Sequence, residues 1–218
     1  SEEVKDALER TGASGLEFTE VTGPSALSDE ERAYKRKCSE LLEPPPKARR
    51  AAWKSLGELD ELTVTSRAIN PTWPGRREDW ALIHRESGRT LLVSEGLSDP
   101  FIARLEPSVG FGLELVLETD RTELPPGAIE ASWPFRLLAR VAREVVAHEA
   151  VRERAKVGPC LLEVSGAGLP GALVTPEGRV GVLLGLVSPR LPRHFPTPFG
   201  DVRLVTVQAL VPASLGWP

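Results

Sequence analysis

Between Ser132 and Lys156 the apolar residues Phe135, Leu138, Val141, Ala142 and Val145 recur at three- and four-residue spacing, with Arg140, Arg143, Glu144 and Arg154 on the opposite face. That period predicts one long amphipathic helix. A helix with a single apolar stripe must cover something, and the flanking runs supply a sheet. Before it come Leu62-Thr63-Val64-Thr65, Trp80 to His84, Thr90 to Val93, and Gly110 to Glu118, where Leu113, Leu115 and Leu117 alternate with Glu114, Val116 and Glu118. The alternation predicts a strand with one face buried. Ser87-Gly88 between the second and third runs predicts a hairpin. After the helix come Cys160 to Val164, Val180 to Val187, a Pro-rich loop and a last strand from Val202 to Val211. These later runs are joined by turns too short for parallel crossovers, so most strand pairs are expected to be antiparallel. The fold class is therefore mixed α/β, of α+β type, with a mostly antiparallel sheet flanked by helices.

The first 27 residues are a polar lead with scattered Gly. Ser28-Asp29-Glu30-Glu31 has the form of a capping box and predicts a helix running to about Leu42. Pro44-Pro45-Pro46 stops it, and a second short helix is expected from Lys47 to Gly57. Their apolar faces are narrow (Ala33, Leu41 and Leu42, then Ala52, Trp53 and Leu56), as expected of helices packed onto a larger body. The organisation expected is residues 1–61 as lead and two short helices on the main domain, and residues 62–218 as that domain.

A net charge of −4 and the lack of a basic stripe argue against a dedicated nucleic-acid binder. The longest uncharged stretch, Leu204 to Pro218, includes Thr, Gln and two Pro and is shorter than the ~20 apolar residues of a spanning helix, so no membrane segment is expected. The acidic N-terminus has no apolar signal core, which predicts a cytoplasmic protein. Cys38 and Cys160 stand in unrelated contexts and read as reduced thiols. A basic complement dominated by Arg, beside 20 Pro and 19 Gly, points to a GC-rich, bacterial source.

Gly166-Ala167-Gly168-Leu169-Pro170-Gly171 fits G-x-G-x-x-G, but Pro170 and Thr175-Pro176-Glu177-Gly178 interrupt the helix that a dinucleotide site requires, so a wide hairpin connection is expected. His84, His148 and His194 fall on a strand, a helix and a loop with nothing local to pair them. No catalytic residues, cofactor or metal site are expected. One local feature stands out: Ser94-Glu95-Gly96-Leu97-Ser98-Asp99-Pro100 is turn chemistry after a strand, and it delivers Phe101 to a loop. A loop aromatic is either a partner anchor or folds back onto the core.

With these segments assembled, the chain resembles the suppressor of fused family. Gly96-Leu97-Ser98-Asp99 after a hairpin strand, Gly110-Phe111-Gly112-Leu113-Glu114-Leu115 opening an alternating strand, Trp133 leading into Leu137 to Val141, and Thr197-Pro198-Phe199-Gly200 before the last strand occur in the family's order. The resemblance covers about Leu62 to Val211. It implies a domain like that family's N-terminal lobe, which binds proteins, carries no catalytic centre and grips an extended peptide as an added strand. It places the grip at Ser98, Asp99, Phe101 and Glu106, the last two differing in type from the family's Tyr and Asp. Stand-alone bacterial members are associated with immunity against polymorphic toxins, so the implied partner is a protein or peptide, with a toxin domain as one identity. The competing expectation is an enzyme or small-molecule binder, marked by a deep apolar pocket with convergent polar groups of displaced pKa. An obligate homo-oligomer is compatible with either.

Overall fold

The structure, a computed structural model, describes residues 28–60, 64–65 and 70–212. Expectations placed on the first 27 residues, on Leu62 and Thr63 and on residues 213–218 lie outside the described residues. The chain divides into two compact units, Ser1–Lys35 and Arg36–Pro218. In the smaller unit the capping box is formed: Glu31 N–H donates to Ser28 Oγ at 3.1 Å and Ser28 N–H to Glu31 Oε2 at 2.8 Å, opening helix α1 (Asp29–Leu42). The boundary at Lys35 falls within α1, and all the remaining elements belong to the larger unit. Helix α2 spans Pro44–Leu56 and thus starts three residues earlier than the sequence suggests. The prolines occupy its first turn, where an amide has no intrahelical acceptor and a fixed φ near −65° is already helical.

The sheet follows the order β1 (Glu58–Leu59), β3 (Asp79–His84), β4 (Arg89–Glu95), β5 (Leu113–Asp120), β9 (Gly200–Ala209), β7 (Arg179–Leu184), β6 (Cys160–Ser165), with β2 (Val64–Thr65) also on β3 and β8 (His194–Thr197) on β9. Every pair is antiparallel except β5 with β9, which run parallel from Leu113–Arg203 to Val116–Thr206. The mixed, mostly antiparallel architecture agrees with the sequence pattern. The β3–β4 hairpin turns at Ser87-Gly88, where Gly88 takes φ +79° and donates to Arg85 O at 3.0 Å. Strand β8 lies inside the stretch expected to be a Pro-rich loop; its Pro196 is tolerated because the strand pairs on one side only, with β9.

Two expectations require correction. The long helix is two helices, α3 (Trp133–Ala147) and α4 (Glu149–Val157), separated by His148 in extended conformation. The Arg152 guanidinium donates to Val145 O at 2.9 Å and Val146 O at 2.7 Å, taking carbonyls that a continuing helix would use itself. The second correction concerns β5, which is buried on both faces from Leu113 to Val116. Leu113, Leu115 and Leu117 face a core shared with Trp80, Leu92, Leu138, Val141, Val145, Val182 and Val205, beneath α3 and α4. On the other face Val116 joins Ala81, Ile83, Leu91, Val93, Val202 and Leu204 under Trp53 of α2 and Phe195 of β8. A central strand covered on both sides loses the solvent that alternation implies.

The Gly166–Gly171 segment is a hairpin connection between β6 and β7, with Gly166 N–H on Gly178 O at 2.8 Å and a single 3₁₀ turn at Gly171–Leu173. Arg140 and Arg136 of α3 donate to the Ser165 and Gly168 carbonyls at 2.7 and 3.2 Å and tie it to the helix.

Candidate protein-binding surface

Strand β4 ends at Ser94-Glu95 and the chain turns through Gly96 at φ +119°, a conformation open to glycine. Leu97 then plugs the core, and the backbone around it is gathered by Glu114, which is fully buried. Glu114 Oε1 accepts from Gly96 N–H and Ser98 N–H, both at 3.0 Å, and from Ser98 Oγ at 2.6 Å. Its Oε2 accepts from Ser94 Oγ at 2.5 Å, and Ser94 Oγ in turn accepts from Leu115 N–H at 2.8 Å. An acid can be buried in a strand interior only with its lone pairs filled.

Helix α2 supplies the countercharge. Arg49 and Trp53, one turn apart and both buried, point from the same helix face. Arg49 Nη1 lies 2.7 Å from Asp99 Oδ1, 3.3 Å from Ser98 Oγ and 3.5 Å from Glu114 Oε1, and its Nε lies 3.9 Å from Glu95 Oε1. Trp53 Nε1–H donates to Glu95 Oε1 at 3.1 Å while its ring packs edge-on to Phe195 at 5.1 Å. Three carboxylates thus converge on one deeply buried guanidinium, with Arg50 adding a more distant contact of 3.9 Å to Glu95. Burial pushes the pKa of Glu114 and of Glu95 up against the pull of Arg49, and does the same to the neighbouring Asp79 against Arg77. Burial alone would depress Arg49, but Glu114 and Asp99 reverse the sign and hold it charged.

The loop from Asp99 to Gly112 is fastened on its inner side. Phe111 N–H donates to Leu97 O at 2.8 Å and Ile102 N–H to Pro74 O at 3.3 Å. Gly110 adopts φ +54°, and a Cβ there would stand 2.3 Å from Asp99 O and 2.7 Å from Leu97 O, so the two motifs touch backbone to backbone. Phe101 meets Phe111, which itself packs against the larger core, edge-on at 5.4 Å, with the Arg104 guanidinium 5.3 Å from the Phe101 ring and that of Arg152 4.5 Å from the Phe111 ring. Both rings are half-buried and Glu106 is exposed.

The four residues assigned to the grip therefore fall on two sides of one loop. Ser98 is buried and spends its hydroxyl on Glu114; Asp99 is partly buried against Arg49; Phe101 and Glu106 are on the outer side. The sequence reading assigned no part in the site to Arg49, Trp53, Glu95 or Glu114, although Trp53 stood on an apolar helix face and Glu95 in the turn singled out after β4. A signal existed for the first two, because Pro45, Arg49 and Trp53 recur every fourth residue on a helix that is otherwise polar. None existed for Glu114, which occupies a position that alternation assigns to solvent.

Elsewhere β5 and β9 part after Val116 and Thr206, and a cleft of about 520 Å³ opens between them, lined by Leu117, Glu118, Val207, Gln208, Trp133 and Leu186 among others. The groups whose pKa is displaced by the buried cluster do not line it. His84 Nδ1 sits 3.1 Å from Thr90 Oγ1 and His148 Nε2 3.2 Å from Glu144, so both have local structural partners. Among the described residues no group of three or more His, Cys, Asp or Glu has the arrangement of a metal site, and no helix is long and apolar enough to cross a membrane.

No protein-family model matches the chain, and no curated protein matches it in sequence. Its likeness is to solved structures. The chain has the mixed α/β fold of a Suppressor of Fused-like domain. The crystal structure of the Sufu–Fu complex superposes with a TM-score of 0.51 at 16% identity, over 80% of this chain and 78% of that one. The crystal structure of Drosophila Suppressor of Fused gives 0.50 at 16% identity, over 80% of this chain but only 44% of that one. The domain described here thus corresponds to less than half of the Drosophila chain.

Proposed function

We propose that the chain is a non-enzymatic protein-binding module that captures an extended segment of a partner protein on the loop of residues 94–112, with Phe101 and Glu106 as the contacting side chains. The observation that carries this reading is the division of the loop into two sides. A buried ionic cluster is a poor source of stability, because desolvation offsets its Coulomb energy, and its use here is to fix geometry. What it fixes is a pair of half-buried aromatic rings stacked with two guanidinium groups, the side-chain types that dominate binding hot spots. The Suppressor of Fused-like fold supports the same class of function, since one of the similar structures is a complex of Sufu with Fu. An extended partner segment would gain affinity through backbone hydrogen bonds and specificity through these side chains. The finer role that fits the resemblance is neutralisation of a toxin domain in a bacterial cytoplasm.

The test is a pull-down with the tagged chain from lysate of its own organism, beside a Phe101→Ala/Glu106→Ala double variant. Capture of one protein by the wild type, lost in the variant at unchanged thermal stability, is the expected result. Capture of the same set by both removes the grip from this loop and directs attention to the cleft between β5 and β9. A large loss of thermal stability in the variant would make the two residues structural.

A further inference from the structure

We infer that Arg49 is the positioning residue of this loop, so that helix α2 is a working part of the binding site; the inference rests on the reading of Phe101 given above. Asp99 is bonded at one of its atoms and closely packed at two more. Its Oδ1 takes the 2.7 Å bond from Arg49, its Oδ2 lies where a Cβ on Gly75 would come within 2.8 Å, and its carbonyl oxygen lies against Gly110. Only Pro100 separates it from Phe101, and the proline ring removes one of the few backbone rotations between them. The position of the Asp99 carboxylate is therefore passed on to the Phe101 ring.

One side chain does the holding because of its shape. The guanidinium of Arg49 reaches the end of β4 at Glu95, the loop at Ser98 and Asp99 and the start of β5 at Glu114, tying helix α2 to both ends of a turn that begins 46 residues further along the chain. The close contacts to Ser98, Asp99 and Glu114 are all made by Nη1, while Nε has no hydrogen-bond partner; the rigid guanidinium plane fixes where that nitrogen sits, whereas an ammonium group on a flexible stem is a freely turning point charge. Arg49→Lys therefore keeps the charge that the carboxylates require and loses the geometry.

Two readouts separate positioning from a general contribution to stability. The first is native-state amide exchange in wild type and Arg49→Lys. Positioning requires the amides of Ile102, Arg104 and Phe111 to exchange roughly tenfold faster in the variant while those of Val180 and Val182 in β7 keep their wild-type rates. Uniform acceleration across the chain, or no change in the loop, overturns the inference. Should Arg49→Lys fail to fold, Asp99→Asn weakens the same bond from the other side and is read in the same way.

The second readout is a double-mutant cycle, with a peptide enriched on the wild-type chain from a displayed random-peptide library as the probe. Arg49→Lys should weaken binding roughly tenfold, and the Arg49→Lys/Phe101→Ala double variant should bind no more weakly than Phe101→Ala alone, since the first residue acts through the second. Additive losses would mean that Arg49 acts independently of Phe101. If the library yields no peptide on the wild type, the binding assignment of the loop fails, and the exchange experiment still decides what Arg49 does.

Discussion

Gly110 and Gly112 bracket Phe111 in one short motif, and the structure assigns them different sensitivities to the same change. Both have positive φ, +54° and +73°, so an alanine at either position carries a left-handed penalty of about 1–2 kcal/mol. At Gly112 that is nearly the whole cost, because a new Cβ would find its nearest atoms, in Lys156 and Val109, at 3.8 Å. At Gly110 the Cβ would lie 2.3 Å from Asp99 O and 2.7 Å from Leu97 O. Cβ contacts below 3.0 Å essentially do not occur, so the Asp99 backbone must retreat by about 0.7 Å into a close-packed surrounding. That retreat strains the 2.7 Å bond between Asp99 and Arg49, and a hydrogen bond to a charged group contributes about 1.5–3 kcal/mol. The expected cost is about 1–2 kcal/mol for Gly112→Ala and about 3–4 kcal/mol for Gly110→Ala. Urea unfolding of the two variants beside the wild type measures both, provided the denaturant slope is unchanged so that midpoints report stability. Equal losses in the two variants would refute the close approach of the motifs and, with it, the fixed inner side of the loop.

Three further outcomes follow from the structure. Glu114, Glu95 and Asp79 have pKa values raised by burial, so the stability tied to their protonation is full below their unfolded values and is lost as pH rises through the folded ones. The urea midpoint should therefore be higher near pH 5 than near pH 7.5, a difference reduced in Glu114→Gln, and a steady loss of stability on acidification across that window would contradict it. Trp53→Ala, which removes a fully buried ring, its bond to Glu95 and its contact with Phe195, should cost about 3–5 kcal/mol. Leu161→Ser on the exposed face of β6, where the leucine is 73% accessible, should change stability by no more than about 0.5 kcal/mol in the same urea assay.

Local chemistry made much of the fold legible. The capping box at Ser28, the Ser87-Gly88 turn, the helix start near Ser132 and the interrupted glycine motif at Gly166 each act within a few residues, and each is realised. The period of 3.6 from Ser132 onward identified the helix that covers the sheet but not its break at His148. That break depends on Arg152 reaching back to two carbonyls, a bond that hydrophobic period does not encode.

The binding loop shows the same boundary. Sequence alone marked Ser98, Asp99, Phe101 and Gly110 as unusual, because turn residues and paired glycines announce special backbone geometry wherever they stand. It could not show that Ser98 and Asp99 face inward, that Glu114 is fully buried, or that Arg49, 50 residues before Asp99, completes the cluster. Alternation along β5 records only that successive side chains point to opposite faces; whether the second face meets water or a helix depends on where α2 packs. The sequence determined the elements and the turns between them, through interactions a few residues long. Which charges are buried together, and hence which side of the loop is left to meet a partner, was decided by tertiary packing, since only the folded sheet brings β4, β5 and α2 within reach of one guanidinium.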